Sequence, residues 1–210
     1  DFKLSPDLLS ESWCPDARGL LIGSPANPTG AVYSDRELLE LNRFIEANSG
    51  FLLTDEVYQG INFHPEDWFT ALNVSSEIFV INSFSKLFGM TGWRLGWVVA
   101  PPSACSDLLK LAQNFFICAP SISQHAALAA FSDETQAIIE DQADTLRERK
   151  EFLVKALRGL GFRIDAPPRG AYYVYAELPK NSIRSEEFCC RLLEEEFVAV
   201  TPGTDFGTNR

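Results

Sequence analysis

Residues 83–96, which read SFSKLFGMTGWRLG, give the clearest indication of how this chain folds. They follow the apolar run IFVI at residues 78–81, whose β-branched and aromatic side chains are typical of a buried strand. Lys86 is therefore predicted in a loop just beyond the carboxyl end of a strand. Open α/β sheets bind their ligands at that edge. The stretch thus predicts an α/β fold with a ligand site near Lys86.

Lys86 is one of six lysines in the chain, and its neighbours in the sequence are apolar side chains, hydroxyls and glycines. An amine in apolar surroundings is a good nucleophile and can condense with an aldehyde. Ser83 and Ser85 can donate hydrogen bonds to an anion, and the planar guanidinium of Arg94 suits a phosphate. The alternative is a loop lysine that reaches solvent, with the glycines serving only as turn residues.

The complete pattern is more specific than any one of its residues. Ser-x-Ser-Lys-x-x-Gly-x-x-Gly-x-Arg-x-Gly, with Arg94 eight residues after Lys86, resembles the cofactor-lysine segment of class I/II aminotransferases. These are fold-type I enzymes that use pyridoxal 5'-phosphate. The resemblance implies that Lys86 holds the aldehyde of the cofactor as an internal imine. It also implies that Ser83, Ser85 and Arg94 bind the phosphate.

A second motif follows an earlier strand. Residues 20–22 read as a short strand, and residues 24–30, SPANPTG, cannot continue it because two prolines and a glycine force a turn. An ordinary strand-to-helix connection would also explain this turn. The Asn-Pro-Thr-Gly string at 27–30 matches a hallmark of the same aminotransferase family. That resemblance implies that Asn27 bonds the 3-oxygen of the pyridoxal ring.

A third motif, Asp-Glu-Val-Tyr at residues 55–58, comes directly after the buried strand predicted over 51–54. Its acidic residues could be solvated or could cap a helix. The resemblance implies instead that Asp55 keeps the pyridine nitrogen protonated, which makes the ring a better electron sink. It also implies that Tyr58 joins Asn27 at the 3-oxygen. All three motifs are predicted at carboxyl ends of strands, where their side chains would share one edge of the sheet.

The rest of the chain is read from capping residues, prolines and apolar spacing. Apolar residues that repeat every seven positions predict one long helix from residue 133, of roughly 25 residues. The other predictions are helices over 34–48, from 104, over 122–131 and over 185–196, and strands over 93–100, 170–175 and 198–200.

The predicted fold class is therefore α/β, with a mainly parallel sheet flanked by helices and a small α+β C-terminal domain. In the resembled family, a long helix links the large domain to the small one. We accordingly expect part of a large cofactor-binding domain over residues 1–132, the linking helix over 133–160, and part of the small domain over 161–210. A coiled-coil partner is the alternative for the long helix, although it has fewer than four heptads.

Composition restricts the partners. The net charge of -11 argues against nucleic acid and against an anionic membrane surface, because both would repel the chain. Five cysteines without a Cys-x-x-Cys spacing, and only two histidines, do not indicate a zinc site. Reduced thiols in a cytoplasmic protein are the simplest interpretation. No apolar run approaches the ~18 residues that a membrane span requires.

The resemblance also implies two parts that the sequence does not contain. Family members carry a phosphate-binding glycine turn upstream and a downstream arginine that binds the substrate α-carboxylate. Arg210 follows Phe206-Gly207 too closely to be assigned that role. We therefore expect this chain to belong to a longer polypeptide, which the resemblance implies is a homodimer. Its substrates would be an amino acid and a 2-oxo acid, but the sequence does not identify the amino donor or acceptor.

Several alternatives share the same cofactor residues. A β-lyase, a decarboxylase or a synthase of the same fold would retain Lys86, as would an aminotransferase-like regulatory domain. A hydrolase with Ser83-x-x-Lys86 as its nucleophile pair belongs to a different class. That class also needs Ser-Asp-Asn and Lys-Thr-Gly strings, and neither occurs in the sequence.

Overall fold

The structure is a computed structural model, which describes residues 2–180 and 183–207. Arg210 and the outer limits of the predicted domains, residues 1 and 210, lie outside the described residues. The division of the chain into two domains and a linking helix stays a prediction.

A four-stranded sheet occupies the centre of the first half of the chain. Its strands are β1 (Gly19–Gly23), β2 (Phe51–Asp55), β3 (Phe79–Ser83) and β4 (Gly96–Val99), and they lie in the order β1-β2-β3-β4. The first three strands are parallel, and β4 is antiparallel to β3. The connection between β3 and β4 contains no crossover helix, so the chain returns in the opposite direction. The predicted α/β class with a mainly parallel sheet is confirmed.

Six α-helices accompany the sheet in the part of the chain that the structure describes. They are α1 (Pro6–Ser12), α2 (Asp35–Ala47), α3 (Pro102–Phe115), α4 (Ser121–Ala127), α5 (Asp133–Gly159) and α6 (Ser185–Glu196). Short 3₁₀ helices cover Pro65–Asp67, Ala71–Asn73, Thr91–Trp93, Leu128–Phe131 and Gly203–Phe206. The long helix predicted from residue 133 is confirmed as α5, which has 27 residues.

Helix α2 shows how the sequence builds the core. The Glu37 carboxylate accepts a hydrogen bond from the Ser34 N–H at 2.8 Å, and the Ser34 hydroxyl accepts one from the Glu37 N–H at 3.3 Å. This capping box fixes the start of the helix. Leu38, Leu41 and Ile45 recur at helical spacing and are buried in the same cluster as side chains of β1, β2 and β3. The cluster holds α2 against the parallel strands.

Two predicted strands are not formed. Residues 170–175 make only an isolated bridge, between Gly170 and Asn62, and residues 198–200 have no regular structure. The first strand cannot form because Ala171 has a φ of +58°, which interrupts an extended chain. The second has no partner strand among the described residues, and it follows Phe197, whose φ is also +58°.

The strand predicted over 93–100 is shorter than expected. It begins only at Gly96, because the residues before it form the 3₁₀ helix Thr91–Trp93 and Arg94 is left-handed with a φ of +52°. Within the described ranges, no helix combines the length and the apolar composition needed to cross a membrane. The same ranges contain no group of three or more potential metal ligands.

Candidate functional site

The three parallel strands end at one edge of the sheet. In the strand register, Gly23 of β1 pairs with Asp55 of β2, and Asp55 pairs with Ile81 of β3. The turn that contains Asn27 and the loop that contains Lys86 follow β1 and β3 respectively, so both leave the sheet at the edge where Asp55 lies. The three motifs therefore share the edge at which open α/β sheets bind ligands.

Lys86 is half-buried against an aromatic ring. Its Nζ lies 5.6 Å from the centroid of the Tyr58 ring. No carboxylate among the described residues forms an ion pair with it. Lys86 also borders a cavity of about 240 Å³, together with Leu87, Leu146 and Tyr172. The structure thus places the amine beside aromatic and aliphatic surfaces and next to open space.

The loop around Lys86 is stabilised by its own hydroxyl groups. The Ser83 hydroxyl donates to the Leu95 carbonyl at 3.2 Å and accepts from the Ser85 N–H at 3.0 Å. The Thr91 hydroxyl donates to the Ser85 carbonyl at 2.8 Å. In contrast, the Ser85 hydroxyl itself has no hydrogen-bond partner in the part of the chain that the structure describes. Ser85 can therefore donate to a ligand without breaking the loop.

Arg94 is exposed, and its guanidinium remains largely available. One nitrogen, Nη1, donates to the Thr91 carbonyl at 3.0 Å, and no carboxylate of residues 2–180 or 183–207 pairs with it. The left-handed backbone of Arg94 turns the chain from the lysine loop into β4. The remaining N–H groups form a cationic donor set that suits a phosphate.

Asp55 and Glu56 have different surroundings although they are neighbours. One Asp55 oxygen, Oδ1, accepts from the Val57 N–H at 3.1 Å, and Oδ2 has no partner in the described chain. Glu56 is only 3% exposed and accepts from the Ala71 N–H at 2.7 Å. Burial raises the pKa of the Glu56 carboxyl, and the hydrogen bond from Ala71 opposes that shift. Glu56 is therefore a structural carboxyl, and Asp55 is the one with a free oxygen.

Tyr58 is buried, and its hydroxyl lies 2.6 Å from the hydroxyl of Tyr173. Its ring meets the rings of Tyr172 and Tyr173 edge to face, with centroid distances of 5.3 and 5.5 Å. Burial raises the pKa of the Tyr58 phenol. Tyr58 therefore keeps its proton and can act as a hydrogen-bond donor at neutral pH.

Asn27 is exposed at the tip of its turn, and its side chain has no partner among the described residues. The turn is closed by hydrogen bonds from the Gly30 N–H to the Ala26 carbonyl at 2.7 Å and from the Ala26 N–H to the Ala31 carbonyl at 2.9 Å. These bonds fix the backbone and leave the Asn27 amide available to a ligand.

Sequence reasoning missed the contribution of residues 168–173. The Arg169 guanidinium binds both carboxylate oxygens of Asp67, at 2.8 and 2.9 Å, and also contacts Glu66 at 3.1 Å. These pairs anchor a segment that brings Tyr173 to Tyr58. The adjacent Tyr172 and Tyr173 were visible in the sequence, but no local pattern indicates a contact 115 residues away.

The structure thus brings Lys86 and Tyr58 into contact and places Asn27 and Asp55 at the same edge. Ser83, which the resemblance assigns to the phosphate, already uses its proton inside the loop. The available groups are a lysine amine, a free carboxylate oxygen, a phenol, an amide, a hydroxyl and a guanidinium. This donor set fits a planar, phosphorylated pyridine aldehyde, since each polar part of such a molecule finds a complementary group.

Solved structures of fold-type I proteins match this α/β sheet, which carries these groups beyond the ends of its parallel strands. The family description for aminotransferase class I and II matches residues 2–210, and the chain belongs to that family. Proteins of this family and fold depend in general on pyridoxal 5'-phosphate.

Two curated relatives and one solved structure illustrate the similarity. Valine–pyruvate aminotransferase of Mycobacterium tuberculosis is 39% identical over 197 residues, which are 93% of this chain and 51% of the relative. The (5-formylfuran-3-yl)methyl phosphate transaminase of Methanocaldococcus jannaschii is 37% identical over 95% of this chain and 52% of its own length. The crystal structure of an aminotransferase from Mycobacterium tuberculosis matches with a TM-score of 0.93 and 38% identity, covering all of this chain and 54% of that one. The chain spans about half the length of these relatives.

Proposed function

We propose that this chain provides the cofactor-binding and proton-transfer groups of a pyridoxal-phosphate-dependent aminotransferase. The observation that carries the proposal is the position of the Lys86 amine, 5.6 Å from the Tyr58 ring and at the same sheet edge as the free oxygen of Asp55. The reaction class is transfer of an amino group between an amino acid and a 2-oxo acid.

Lys86 is the central residue of the proposal. Its Nζ would hold the aldehyde carbon of the cofactor, and the substrate amine would release it. The free amine would then take the proton from the substrate α-carbon and return a proton during amino transfer, as general base and acid. Pyridoxal 5'-phosphate, when bound, supplies the electron sink that stabilises negative charge at that carbon.

The other residues orient and polarise the cofactor in this proposal. The free oxygen of Asp55 would keep a proton on the pyridine nitrogen, and the Asn27 amide and Tyr58 hydroxyl would donate to the 3-oxygen. Ser85 and Arg94 would bind the phosphate, because both have donors without an intramolecular partner. Ser83 would support phosphate binding indirectly, because its hydroxyl donates to the Leu95 carbonyl and so stabilises the loop that carries Ser85.

The family resemblance and the cysteines support two further proposals, on location and on assembly. All five cysteines are free thiols, which suits a reducing compartment, and we place the protein in the cytoplasm. We also infer that the full-length protein is a homodimer. Sedimentation of the full-length protein at several concentrations would test this, and a monomer at every concentration would contradict it.

The decisive experiment maps the cofactor-binding lysine in the full-length polypeptide. The protein is mixed with pyridoxal phosphate, its absorbance spectrum is recorded before and after borohydride, and the modified peptide is identified by mass spectrometry. The expected result is a long-wavelength band that borohydride removes, with the label on Lys86. Amino transfer from a panel of amino acids to 2-oxo acids is then measured by product analysis.

Lys150 provides a matched control. Its Nζ also lies over an aromatic ring, 4.8 Å from the centroid of Phe63, and its side chain is only 15% exposed, but it is on α5 and not at the sheet edge. Lys86→Ala should abolish the band and amino transfer, whereas Lys150→Ala should retain both. Reductive labelling of Lys150, or of Lys110, would show that the assignment is wrong.

A further inference from the structure

A hydrogen bond joins the candidate site to a distant part of the chain. The hydroxyl oxygens of Tyr58 and Tyr173 are 2.6 Å apart, although the residues are separated by 115 positions. This distance is at the short end of the range for a hydrogen bond between hydroxyls. The two rings also pack edge to face. Tyr173 is therefore held both by its ring and by its hydroxyl.

The backbone that leads to Tyr173 is fixed on two sides. On one side, the N–H groups of Arg169 and Gly170 donate to the Gly30 carbonyl at 2.9 and 3.1 Å. On the other, the Phe63 N–H donates to the Arg169 carbonyl and the Ala171 N–H to the Ile61 carbonyl, both at 2.8 Å. The segment is thus hydrogen-bonded on one side to the Asn27 turn and on the other to the chain that follows Tyr58. These bonds restrict the movement of Tyr173.

The number of protons in the pair determines what each hydroxyl can do. A phenol has one proton to donate and lone pairs that accept. If Tyr58 donates to Tyr173, it presents only lone pairs to a ligand. If Tyr173 donates to Tyr58, the Tyr58 proton is free to point at a ligand oxygen. A donor behind Tyr58 also polarises its O–H bond and strengthens the bond it donates.

We propose that Tyr173 is a positioning residue whose hydroxyl donates to Tyr58 and so directs the Tyr58 proton to the 3-oxygen of the bound cofactor. This inference rests on the proposed function, in which Tyr58 donates to that oxygen. A donor to the 3-oxygen favours its anionic form. Loss of the Tyr173 hydroxyl should therefore weaken that preference without removing any direct contact to the cofactor.

The test compares three single variants of the full-length protein: Tyr58→Phe, Tyr173→Phe and the control Tyr175→Phe. Tyr175 lies two residues further along the same segment and contacts the rings of Phe2 and Phe206 instead of Tyr58. The first readout is the pH midpoint, the pH at which half of the change in the cofactor absorbance band has occurred. The second is the affinity for pyridoxal phosphate, measured by fluorescence quenching. Neither depends on turnover.

Tyr58→Phe should raise the pH midpoint, because the donor to the 3-oxygen is lost. Tyr173→Phe should raise it by a smaller amount and weaken cofactor affinity by about threefold to tenfold, the effect of one hydrogen bond. The double variant should behave like Tyr58→Phe alone, since Tyr173 acts through Tyr58. Tyr175→Phe should leave both quantities unchanged.

A second substitution guards against a folding defect in Tyr173→Phe. Replacement of Tyr173 by 3-fluorotyrosine retains the ring and the hydroxyl but makes the hydroxyl a stronger donor, so the pH midpoint should fall. If Tyr58→Phe shifts the midpoint and neither change at Tyr173 does, the inference is overturned and the proposed function stands. If Tyr58→Phe has no effect, both the inference and the role of Tyr58 are overturned.

Discussion

Gly30→Ala tests whether the Asn27 turn is locked by the later segment. Gly30 has a φ of +66°, and a Cβ built on it would lie 2.4 Å from the Pro168 Cβ and 2.7 Å from the Gly170 carbonyl oxygen. Gly89 has almost the same backbone angle, +63°, but a Cβ there would meet no atom within 4 Å. The same substitution at the two glycines therefore separates the cost of the backbone conformation from the cost of the contact.

The two costs have different sizes. An alanine in the left-handed region costs about 1 to 2 kcal/mol, and this applies to both glycines. Forcing a methyl group against packed backbone and proline atoms adds about 1 to 3 kcal/mol at Gly30 only. We expect Gly89→Ala to lower the free energy of unfolding by the first amount, and Gly30→Ala by about 2 to 5 kcal/mol in total.

Urea unfolding of the full-length variants, followed by circular dichroism, measures both losses. Cofactor affinity provides a second readout for Gly30→Ala, because a displaced turn would also displace Asn27. Equal losses of stability at Gly30 and Gly89 would refute the reasoning, since the contact with Pro168 and Gly170 would then contribute nothing. In that case, the contact with Gly30 would not hold the segment that carries Tyr173 in place.

Three further predictions concern charged groups. Arg169→Ala should lower the free energy of unfolding, measured in urea, by about 1 to 2 kcal/mol, because Asp67 loses a bidentate partner that is itself half exposed. The control Arg191→Ala breaks an exposed pair within one helix and should change that free energy little. Glu56 has a higher pKa in the folded than in the unfolded state, so its contribution to stability is full below the unfolded pKa and is lost as pH rises through the folded pKa. In urea titrations from about pH 4 to 8, Glu56→Gln should therefore make the free energy of unfolding fall less steeply with rising pH. Asp55→Asn should lower turnover by orders of magnitude while cofactor affinity, measured separately, survives; full activity would contradict its role at the ring nitrogen.

The parallel strands could be predicted because their signals are local. Apolar runs bounded by proline, glycine or asparagine placed β1, β2 and β3 within one or two residues of their positions in the structure. Seven-residue spacing likewise identified α5. These patterns arise from burial on a sheet or along one helical stripe, so a single sequence contains them. The same predicted strands also indicated which edge of the sheet carries the candidate site.

The segment around Tyr173 could not be predicted in this way. Residues 170–175 are rich in aromatic and β-branched side chains, which favour a strand. Their conformation is set instead by hydrogen bonds to Gly30 and Ile61 and by the left-handed Ala171. Those contacts are tertiary, so they override the local preference without leaving a sign in the sequence.

The two neighbouring carboxylates show how strand geometry assigns chemistry. Side chains alternate between the faces of a strand, so residues 52, 54 and 56 point one way and residues 53 and 55 the other. Leu52, Thr54 and Glu56 are all buried, while Asp55 is only half-buried and retains an oxygen without a partner in the described chain. The alternation directs the Glu56 side chain into the core, where its carboxylate accepts a hydrogen bond from the Ala71 N–H. It leaves Asp55 at the carboxyl edge of the sheet, where, in the proposed function, a positively charged ring nitrogen would complete its hydrogen bonding.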